Sequence, residues 1–522
     1  MNVAAEPPRP AAPLDRIAAS RRLRLGLAFV CGLALTAAQP PVFAWPLVFA
    51  AVPTLAIVLW RVDRKRAFWT GWAAGFGFFL SGLYWIAEAF FVDAARHGWM
   101  APFAVGLMAA GLALFWGAAA WTARATGARG LAAAIAFAGS FCAWEFARAH
   151  VLTGFPWALP GYGLASTPLL QLTAWIGPHG LGLALLALAA APASPWLGGE
   201  GRAMRAVPAA ATAIAALAVG WAMGTARLAD GPAAAADAPV IRVVQPNAAQ
   251  NEKWRPELMP TFFNRLRALS GPDHGPPADI VVWPETAVPQ LLDRNAEARA
   301  AIAASAQGAT VLVGARRYLQ QADGASWRNS LFALGPPGTI EGVYDKHHLV
   351  PFGEYIPFHD VLSRIGLGPM VGESGGFERG PGPRTLRLPG LPPMAPLICY
   401  EAIFPHQMPS GDDRPDWIVQ VTNDAWFGAS AGPWQHFHQA RMRAVEQGLP
   451  VVRSANTGIS AIIDAHGRVV ASLPLNEAGA VQAPLPPPLT PTFYARLGDL
   501  PFLGLLALCA AAVFTLRGRA SP

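Results

Sequence analysis

The sequence predicts a multi-span α-helical membrane domain followed by an α/β sandwich domain. Of the 522 residues, 53% are hydrophobic and only 14% are charged, and the mean hydropathy is +0.33. These values are unusual for a soluble fold and typical of a membrane protein. The apolar residues are concentrated in eight segments, whereas residues 227–498 contain short β-rich runs, Pro/Gly turns and polar helices. We therefore expect membrane helices combined with one globular domain.

The eight apolar segments are long enough to cross a bilayer, which takes roughly 17–25 residues. They run over 24–40, 43–60, 68–91, 100–122, 130–147, 168–191, 206–226 and 499–516. This pattern predicts a membrane domain over 1–226 with seven transmembrane helices, a globular domain over 227–498, and a last helix with a short tail over 499–522. The first segment can also be interpreted as a cleaved signal peptide, because it ends in small residues. Cleavage there would leave the orientation of the later spans unchanged.

The orientation of the spans follows from the basic residues beside them. Clusters of arginine and lysine flank alternate ends of the spans, at 16–24, 61–66, 124–129, 202–205 and 517–519. The positive-inside rule places all of these clusters in the cytoplasm. The globular domain is then expected on the periplasmic side of a bacterial inner membrane. The net charge of +7 is spread over these clusters rather than over one basic face, so nucleic acid is not an expected partner.

Cys399 is the only cysteine outside the apolar spans, since Cys31, Cys142 and Cys509 all lie within them. It therefore has no disulfide partner in its own domain, although the periplasm is oxidising. An unpaired thiol in such a compartment is a candidate reactive group. A buried packing role is the alternative interpretation of Cys399 alone.

The globular domain alternates predicted strands and helices. Strands are expected at 239–245, 279–283, 309–315, 329–334, 396–399 and 417–422, and helices near 256–270, 294–306 and 434–447. Glu285 and Cys399 each stand at the carboxyl end of an apolar strand, and Lys346 follows the strand-like run 340–344. Open α/β sheets bind their ligands at that end. The three residues are therefore candidates for one site.

Lys346 attracts attention because lysine is rare in this chain. Only Lys65, Lys253 and Lys346 occur among 39 basic residues, and all the others are arginine. A lysine kept at position 346 suggests that a compact ammonium group is required there. An ordinary surface lysine is the alternative.

Three motifs carry a resemblance to a known family. They are 283–285 (Trp-Pro-Glu), Lys346 together with 349–355 (Leu-Val-Pro-Phe-Gly-Glu-Tyr), and 398–401 (Ile-Cys-Tyr-Glu). They resemble the Glu, Lys and Cys motifs of the carbon–nitrogen hydrolase, or nitrilase, superfamily. Seven spans before that domain and one after it resemble the membrane branch, the apolipoprotein N-acyltransferases. This resemblance implies a nitrilase-like αββα sandwich and assigns catalysis to Glu285, Lys346 and Cys399.

The chemistry of these residue types fits acyl transfer. A thiol is mostly protonated at neutral pH, so Cys399 needs a general base, and Glu285 can remove its proton. Attack on an acyl group creates an oxyanion, which the Lys346 ammonium can stabilise. The resemblance implies transfer in two steps. A fatty acyl chain moves from a membrane phospholipid to Cys399 as a thioester, and then to the α-amino group of the diacylglyceryl-modified N-terminal cysteine of an apolipoprotein.

Four further residues are candidate supporting groups. Glu401 is expected to point to the same side as Cys399, as residues two apart on an extended strand do. Glu354 can orient Lys346 or the substrate amine. Structural salt bridges are the alternative for both carboxylates. Tyr400 and Trp254 resemble pocket-lining positions of the family, with aromatic packing as the alternative.

Other features complete the expectations. His347 and His348 suggest a proton relay or a metal site, but no metal-ligand spacing stands out, so neither metal nor cofactor is expected. The stretch 355–382 mixes apolar residues with glycines and is a candidate mobile lid over an acyl chain. We expect a monomer. A membrane-tethered amidase that uses water as acceptor and a non-enzymatic scaffold that binds lipoproteins are the competing functions.

Overall fold

The computed structural model describes residues 13–198, 203–231, 233–321, 324–357, 364 and 376–518. Among these residues, the elements as far as residue 229 are helices, and two β-sheets with flanking helices follow. The last helix returns to the helical bundle, where it packs against two of the earlier helices. The order of the elements is thus the one that the apolar segments predict.

Ten α-helices precede the first strand in the part of the chain that the structure describes. They are α1 (Pro13–Ala19), α2 (Arg21–Ala37), α3 (Val48–Trp60), α4 (Arg64–Gly82), α5 (Ala87–Phe91), α6 (Ala94–His97), α7 (Ala101–Ala125), α8 (Gly130–His150), α9 (Thr173–Ala190) and α10 (Val207–Ala229). Five helices follow it within the described residues. They are α11 (Met259–Ser270), α12 (Ala296–Ser305), α13 (Ala431–Gln447), α14 (Phe493–Leu497) and α15 (Leu500–Gly518).

Among the described residues, five helical stretches are long and apolar enough to cross a membrane. They are Ala94–Ala125, Gly130–His150, Pro168–Trp196, Met204–Ala229 and Leu500–Arg517. Each corresponds to one of the eight apolar segments of the sequence. The segment expected as a single span over 68–91 differs, because Arg64–Gly82 and Tyr84–Phe91 form a pair bent by 50°. The first two segments form helices of 17 residues or fewer, α2 and Trp45–Trp60. Whether these three segments cross the bilayer stays a prediction.

Eleven strands form the two sheets within the described part of the chain. They are β1 (Val240–Gln245), β2 (Ile280–Val282), β3 (Thr310–Gln321), β4 (Gly324–Gly335), β5 (Thr339–Asp345), β6 (Met394–Ile398), β7 (Trp417–Thr422), β8 (Val451–Ala455), β9 (Ser460–Ile463), β10 (Val469–Leu473) and β11 (Gly479–Pro484). The six strands expected from the sequence are all present. The strand-like run 340–344 also forms a strand, β5. The sequence analysis did not predict β8 to β11.

The strand order positions the candidate residues. The first sheet has the order β11-β1-β2-β3-β4-β5, and the second has the order β10-β9-β8-β7-β6. β1, β2 and β3 are parallel, and β4 is antiparallel to both β3 and β5. β5 therefore runs in the same direction as β2, and their carboxyl ends lie at one end of the sheet. In the second sheet β6, β7 and β8 are parallel.

The two sheets pack face to face, and helices cover their outer faces. Alternate side chains of the central strands fill the space between the sheets, among them Ile241, Val282, Leu312, Val421 and Val452. The opposite face of the first sheet packs against α11 and α12. That of the second sheet packs against α13. This four-layer arrangement confirms the αββα sandwich.

Helix α13 also touches the membrane bundle. Ala440 and Ala444 face the second sheet, whereas Met442 and Val445 pack against side chains of the 159–174 region. Both sides of the helix are therefore covered. This double contact holds the sandwich against the helices that precede it.

Candidate active site

The structure brings Glu285, Lys346 and the turn that carries Cys399 to one place between the two sheets. Glu285 lies three residues beyond β2, Lys346 immediately follows β5, and Cys399 immediately follows β6. The Lys346 ammonium lies 3.4 Å from Glu285 Oε1. Both charged groups act electrostatically on the Cys399 thiol. The three strand ends therefore lie in one region, and the assignment of Glu285, Lys346 and Cys399 as the catalytic residues stays a prediction.

The Glu285 carboxylate is held from two directions. Asn329 Nδ2 donates to Oε1 at 2.7 Å, and the backbone N–H of Asn423 donates to Oε2 at 2.9 Å. The turn itself lies close to β3, since a Cβ atom at Gly314 would come within 2.6 Å of Glu285 Cα. Only a glycine in β3 permits this approach. The orientation of Glu285 thus depends on three neighbouring segments.

Lys346 is buried between two carboxylates. Its side chain is 1% exposed, and Nζ lies 2.9 Å from Glu354 Oε1 as well as 3.4 Å from Glu285 Oε1. Burial by itself would lower the pKa of Lys346, but Glu354 and Glu285 outweigh it and raise the pKa above its ordinary value. Lys346 therefore remains an ammonium ion at neutral pH. A fixed positive charge in a dry site is suited to an oxyanion.

Cys399 occupies a strained backbone position at the start of a short 3-10 helix, Cys399–Ile403. Its φ is +51°, which is uncommon for a residue with a side chain. Burial raises the pKa of the thiol, Glu285 and Asp424 raise it further, and Lys346 and the Thr422 hydroxyl oppose this. The thiol is therefore protonated at rest, and a neighbouring base is needed to make it a nucleophile.

A buried group of polar side chains contacts the backbone of the Cys399 turn. His436 Nε2 lies 3.1 Å from the carbonyl oxygen of Cys399, and His436 Nδ1 lies 2.9 Å from Asp424 Oδ1. Arg453 pairs with the other oxygen of Asp424. Burial by itself would raise the pKa of Asp424, but Arg453 and His436 lower it to about 2. The Asp424 carboxylate is thus ionised, and its contact with Nδ1 holds the His436 ring beside the Cys399 backbone.

Asn329, Asn423, Asp424 and His436 were not among the residues predicted for the site. Asn423 and Asp424 directly follow β7, which was a predicted strand. The rule that ligand sites lie at the carboxyl ends of strands therefore offered a signal for these two. Asn329 and His436 lie within a strand and a helix, where no local pattern distinguishes them.

The two second-tier carboxylates have different surroundings. Glu354 contacts Lys346, accepts from Asn329 Nδ2 at 3.0 Å, and accepts from the backbone N–H of Val350 at 2.8 Å. Glu401 lies in a 3-10 turn rather than on an extended strand end, which corrects the expected geometry. Its carboxylate turns back to accept from the backbone N–H groups of Ile398 and His347, each at 2.7 Å.

Glu401 consequently ties the segment of Lys346 to the turn of Cys399. Burial by itself would raise the pKa of Glu401, but His347 and the backbone donors lower it below its ordinary value. A buried carboxylate with several donors is ionised and rigidly held. This places a fixed link between two of the three central residues.

Tyr400 and Trp254 lie on different sides of the site. The Tyr400 hydroxyl donates to the carbonyl oxygen of Gly154 at 3.3 Å, so it reaches the loop between α8 and α9. Trp254 lies beside two cations, 5.2 Å from Lys253 Nζ and 5.0 Å from the Arg316 guanidinium. Lys253 Nζ in turn donates to the carbonyl oxygen of Glu285 at 3.2 Å. Burial lowers the pKa of Lys253 to about 8.

The ring nitrogens of His347 and His348 all have protein partners. His347 contacts Glu401 through Nδ1 and Gln407 through Nε2. His348 contacts Gln407 through Nδ1 and the carbonyl oxygen of Thr153 through Nε2. These contacts leave neither ring a nitrogen for a metal ion. The candidate lid over 355–382 lies largely outside the described residues, at 358–363 and 365–375, so it stays a prediction.

The αββα sandwich has the fold of a carbon–nitrogen hydrolase, and here it is joined to a helical membrane domain. Residues 240–492 match the carbon-nitrogen hydrolase family model, and residues 31–191 match the model of the apolipoprotein N-acyltransferase N-terminal domain. Apolipoprotein N-acyltransferase of Rhodopseudomonas palustris is 40% identical over 97% of this chain and 98% of its own length. That of Caulobacter vibrioides is 41% identical over 94% of each chain.

The chain belongs to the apolipoprotein N-acyltransferase family. It is an acyltransferase and an integral membrane protein. This membership rules out the non-enzymatic scaffold and favours acyl transfer over the hydrolysis of small amides.

Proposed function

We propose that this enzyme transfers a fatty acyl chain from a membrane phospholipid to the α-amino group of a diacylglyceryl-modified apolipoprotein, through a thioester on Cys399. One observation carries the proposal. A buried, protonated thiol lies on a strained turn beside a fixed carboxylate, Glu285, and a fixed ammonium, Lys346. These are the groups that nucleophilic acyl transfer requires.

The first half-reaction charges the enzyme. Glu285 takes the thiol proton as Cys399 Sγ attacks the ester carbonyl of the phospholipid. Lys346 stabilises the oxyanion of the tetrahedral intermediate. As the C–O bond breaks, Glu285 returns its proton to the departing alkoxide, which leaves as a lysophospholipid. The acyl chain stays on Sγ.

The second half-reaction discharges the thioester. The neutral α-amino group of the apolipoprotein attacks the thioester carbonyl, and Lys346 again stabilises the oxyanion. Glu285 takes a proton from the nitrogen and gives it to the departing thiolate, which restores Cys399. The products are an amide and the free enzyme.

The membrane setting supports these substrates. The relatives are named apolipoprotein N-acyltransferases, which supports an apolipoprotein as acceptor. The long apolar helices support an enzyme within the bilayer, which also contains phospholipids and the diacylglyceryl chains of lipoproteins. The basic clusters favour a location in the bacterial inner membrane with residues 227–498 on the periplasmic side, between a membrane domain at 1–226 and a last span within 499–522. We propose that a monomer suffices, because Glu285, Lys346 and Cys399 come from one chain.

A mass measurement on the intact enzyme tests the proposal. The purified protein is incubated in detergent with one phospholipid of defined acyl chains and no apolipoprotein. We expect a mass increase of one fatty acyl group on Cys399, and its loss when a diacylglyceryl-modified peptide with a free α-amino group is added. The acyl group should then appear on the peptide nitrogen.

Two variants make the result specific. Cys399→Ser should give no complete reaction, whereas Cys509→Ser, in helix α15, should behave as the wild type. Full turnover by Cys399→Ser would refute the nucleophile assignment. An adduct that is lost to water as quickly as to peptide would favour a hydrolase over a transferase.

A further inference from the structure

A second group of metal-ligating side chains lies where the membrane bundle meets the sandwich. It consists of His150, the last residue of α8, His406, seven residues beyond Cys399, and Asp499, which immediately precedes α15. One ligand atom from each lies within 4.8 Å of the other two. We propose that these three residues bind a divalent transition-metal ion of the zinc type.

His150 is already oriented as a ligand. Its Nδ1 lies 2.9 Å from the backbone carbonyl oxygen of Phe146. A carbonyl oxygen only accepts hydrogen bonds, so Nδ1 carries the hydrogen and Nε2 presents a lone pair. A histidine that donates one N–H to a carbonyl and ligates through the other nitrogen is the usual arrangement at metal sites.

The carboxylate of Asp499 is likewise fixed through one of its two oxygens. Tyr494 donates its hydroxyl hydrogen to Oδ1 at 3.1 Å. Within the described part of the chain, the second oxygen makes no hydrogen bond. A carboxylate that is fixed through one oxygen and free at the other can bind an ion without a further loss of side-chain freedom.

His406 completes the set of three. Its ring is stacked on that of His150, with the centroids 4.4 Å apart and the planes at 25°. Stacking uses the ring faces and leaves the in-plane lone pairs unused. Because the lone pairs of nearly parallel rings do not converge, one of the two rings has to turn for both to bind the same ion. In the ranges that the structure describes, the His406 ring makes no hydrogen bond. His150 and His406 are both exposed, so an ion can enter from solvent.

A fourth nitrogen lies nearby. His179 is buried, its Nε2 has no hydrogen-bond partner among the residues that the structure describes, and its ring centroid is 6.5 Å from that of His150. Buried nitrogens are normally paired, so an unpaired one calls for a ligand. Zinc commonly takes four ligands in a tetrahedron, and His179 is the nearby histidine that could supply the fourth if its ring moved towards the other three.

The donor set defines the class of ion. Imidazole nitrogens with one carboxylate suit zinc and its neighbours, whereas calcium and magnesium prefer oxygen ligands. A bound ion would join α8, α15 and the segment after Cys399. Phe404 lies between this site and the active site, since its ring stacks on His348 at 3.8 Å and lies 6.0 Å from His406. The ion would thereby stiffen the membrane side of the Cys399 segment.

Cobalt uptake tests the proposal, because Co²⁺ replaces zinc and absorbs visible light when bound in a tetrahedral site. The full-length protein is purified in detergent with a tag that contains no histidine, treated with chelator, and titrated with Co²⁺ and separately with Zn²⁺. We expect one equivalent of tightly bound Co²⁺ and a rise in thermal midpoint with Zn²⁺. His150→Ala and His406→Ala should each weaken uptake at least about tenfold.

Controls separate ligand loss from misfolding. His274→Ala removes an exposed histidine elsewhere and should bind Co²⁺ as the wild type does. A variant whose thermal midpoint in chelator equals that of the wild type is folded, so its loss of uptake reports the ligand. Equal uptake by the wild type and the folded His150→Ala/His406→Ala double variant would overturn the proposal, and so would no uptake by either.

Discussion

At the scale of single residues, Glu285 raises the pKa of the same thiol that it is proposed to deprotonate. Burial and the Glu285 carboxylate both raise the pKa of the thiol, although Lys346 and Thr422 oppose them. A cysteine protease instead stabilises its thiolate with a neighbouring cation. Here the surroundings favour a thiol that loses its proton only during attack. This difference makes the role of Glu285 testable.

We predict that Glu285→Gln slows acyl-enzyme formation by about 10² to 10⁴, the usual contribution of a general base. The same change removes a negative charge beside Cys399, so the pKa of the thiol should fall. Alkylation of Cys399 by iodoacetamide, which needs the thiolate, should therefore become faster at neutral pH. Intact-mass kinetics with phospholipid and with iodoacetamide measure the two rates.

Glu257→Gln is the matched control, because Glu257 is exposed. It should change neither rate. If the rates of acyl-enzyme formation and of alkylation both fell in Glu285→Gln, the substitution would have disrupted the structure of the active site. Glu285 would then be a structural rather than a catalytic group.

At the scale of single elements, β3 determines where the Glu285 turn lies. A Cβ atom at Gly314 would lie 2.5 Å from the carbonyl oxygen of Pro284 and 2.6 Å from Glu285 Cα. Contacts this short require the backbone to move. Even a small displacement of a reacting group lowers the reaction rate by a large factor.

Gly314→Ala is therefore expected to slow acyl-enzyme formation about tenfold or more while the protein still folds. Overpacking of this kind also costs about 1–3 kcal/mol of stability, which a modest drop in thermal midpoint would report. Formation of the Cys399 adduct and thermal unfolding in the same detergent are the measurements.

Gly106→Ala provides the comparison, since a Cβ atom there meets nothing within 4 Å. It should leave both quantities unchanged or raise stability slightly. An unaltered rate in Gly314→Ala would mean that the close approach of β3 does not position Glu285.

At the scale of the whole molecule, Gln435 joins the sandwich to the membrane bundle. It lies on α13, and its Oε1 accepts from the indole N–H groups of Trp157 at 2.7 Å and Trp85 at 3.1 Å. Its Nε2 donates to the carbonyl oxygens of Pro40 and Gly82 at 3.4 and 3.2 Å. One buried amide thus contacts three separate segments of the helical region.

Gln435→Ala should lower the thermal midpoint markedly. It leaves two indole N–H groups buried without an acceptor, and each such group costs about 1–3 kcal/mol. Unfolding followed by tryptophan fluorescence in detergent measures the change. Gln320→Ala, at an exposed position of β3, should leave the midpoint as in the wild type. Equal midpoints for the two variants would show that water or another group satisfies the indoles.

Local sequence patterns were sufficient to predict the order of membrane helices and sandwich, and the three strand ends that carry Glu285, Lys346 and Cys399. These features depend on hydropathy over short windows and on residue types beside apolar strands, which are local properties of the chain. Five of the eight apolar segments are long, apolar helices in the structure. The roles of the three central residues stay predictions until the variants are measured.

The contacts that hold the site together could not be predicted from local patterns. The turn of Glu401 towards His347, the support of Cys399 by His436, and the meeting of His150 with His406 all join residues that are distant in sequence. Such contacts depend on how elements pack, and periodicity or local propensity does not encode them. Cys399 was visible from its sequence, but its strained turn and its buried neighbours became visible only when both sheets were in place.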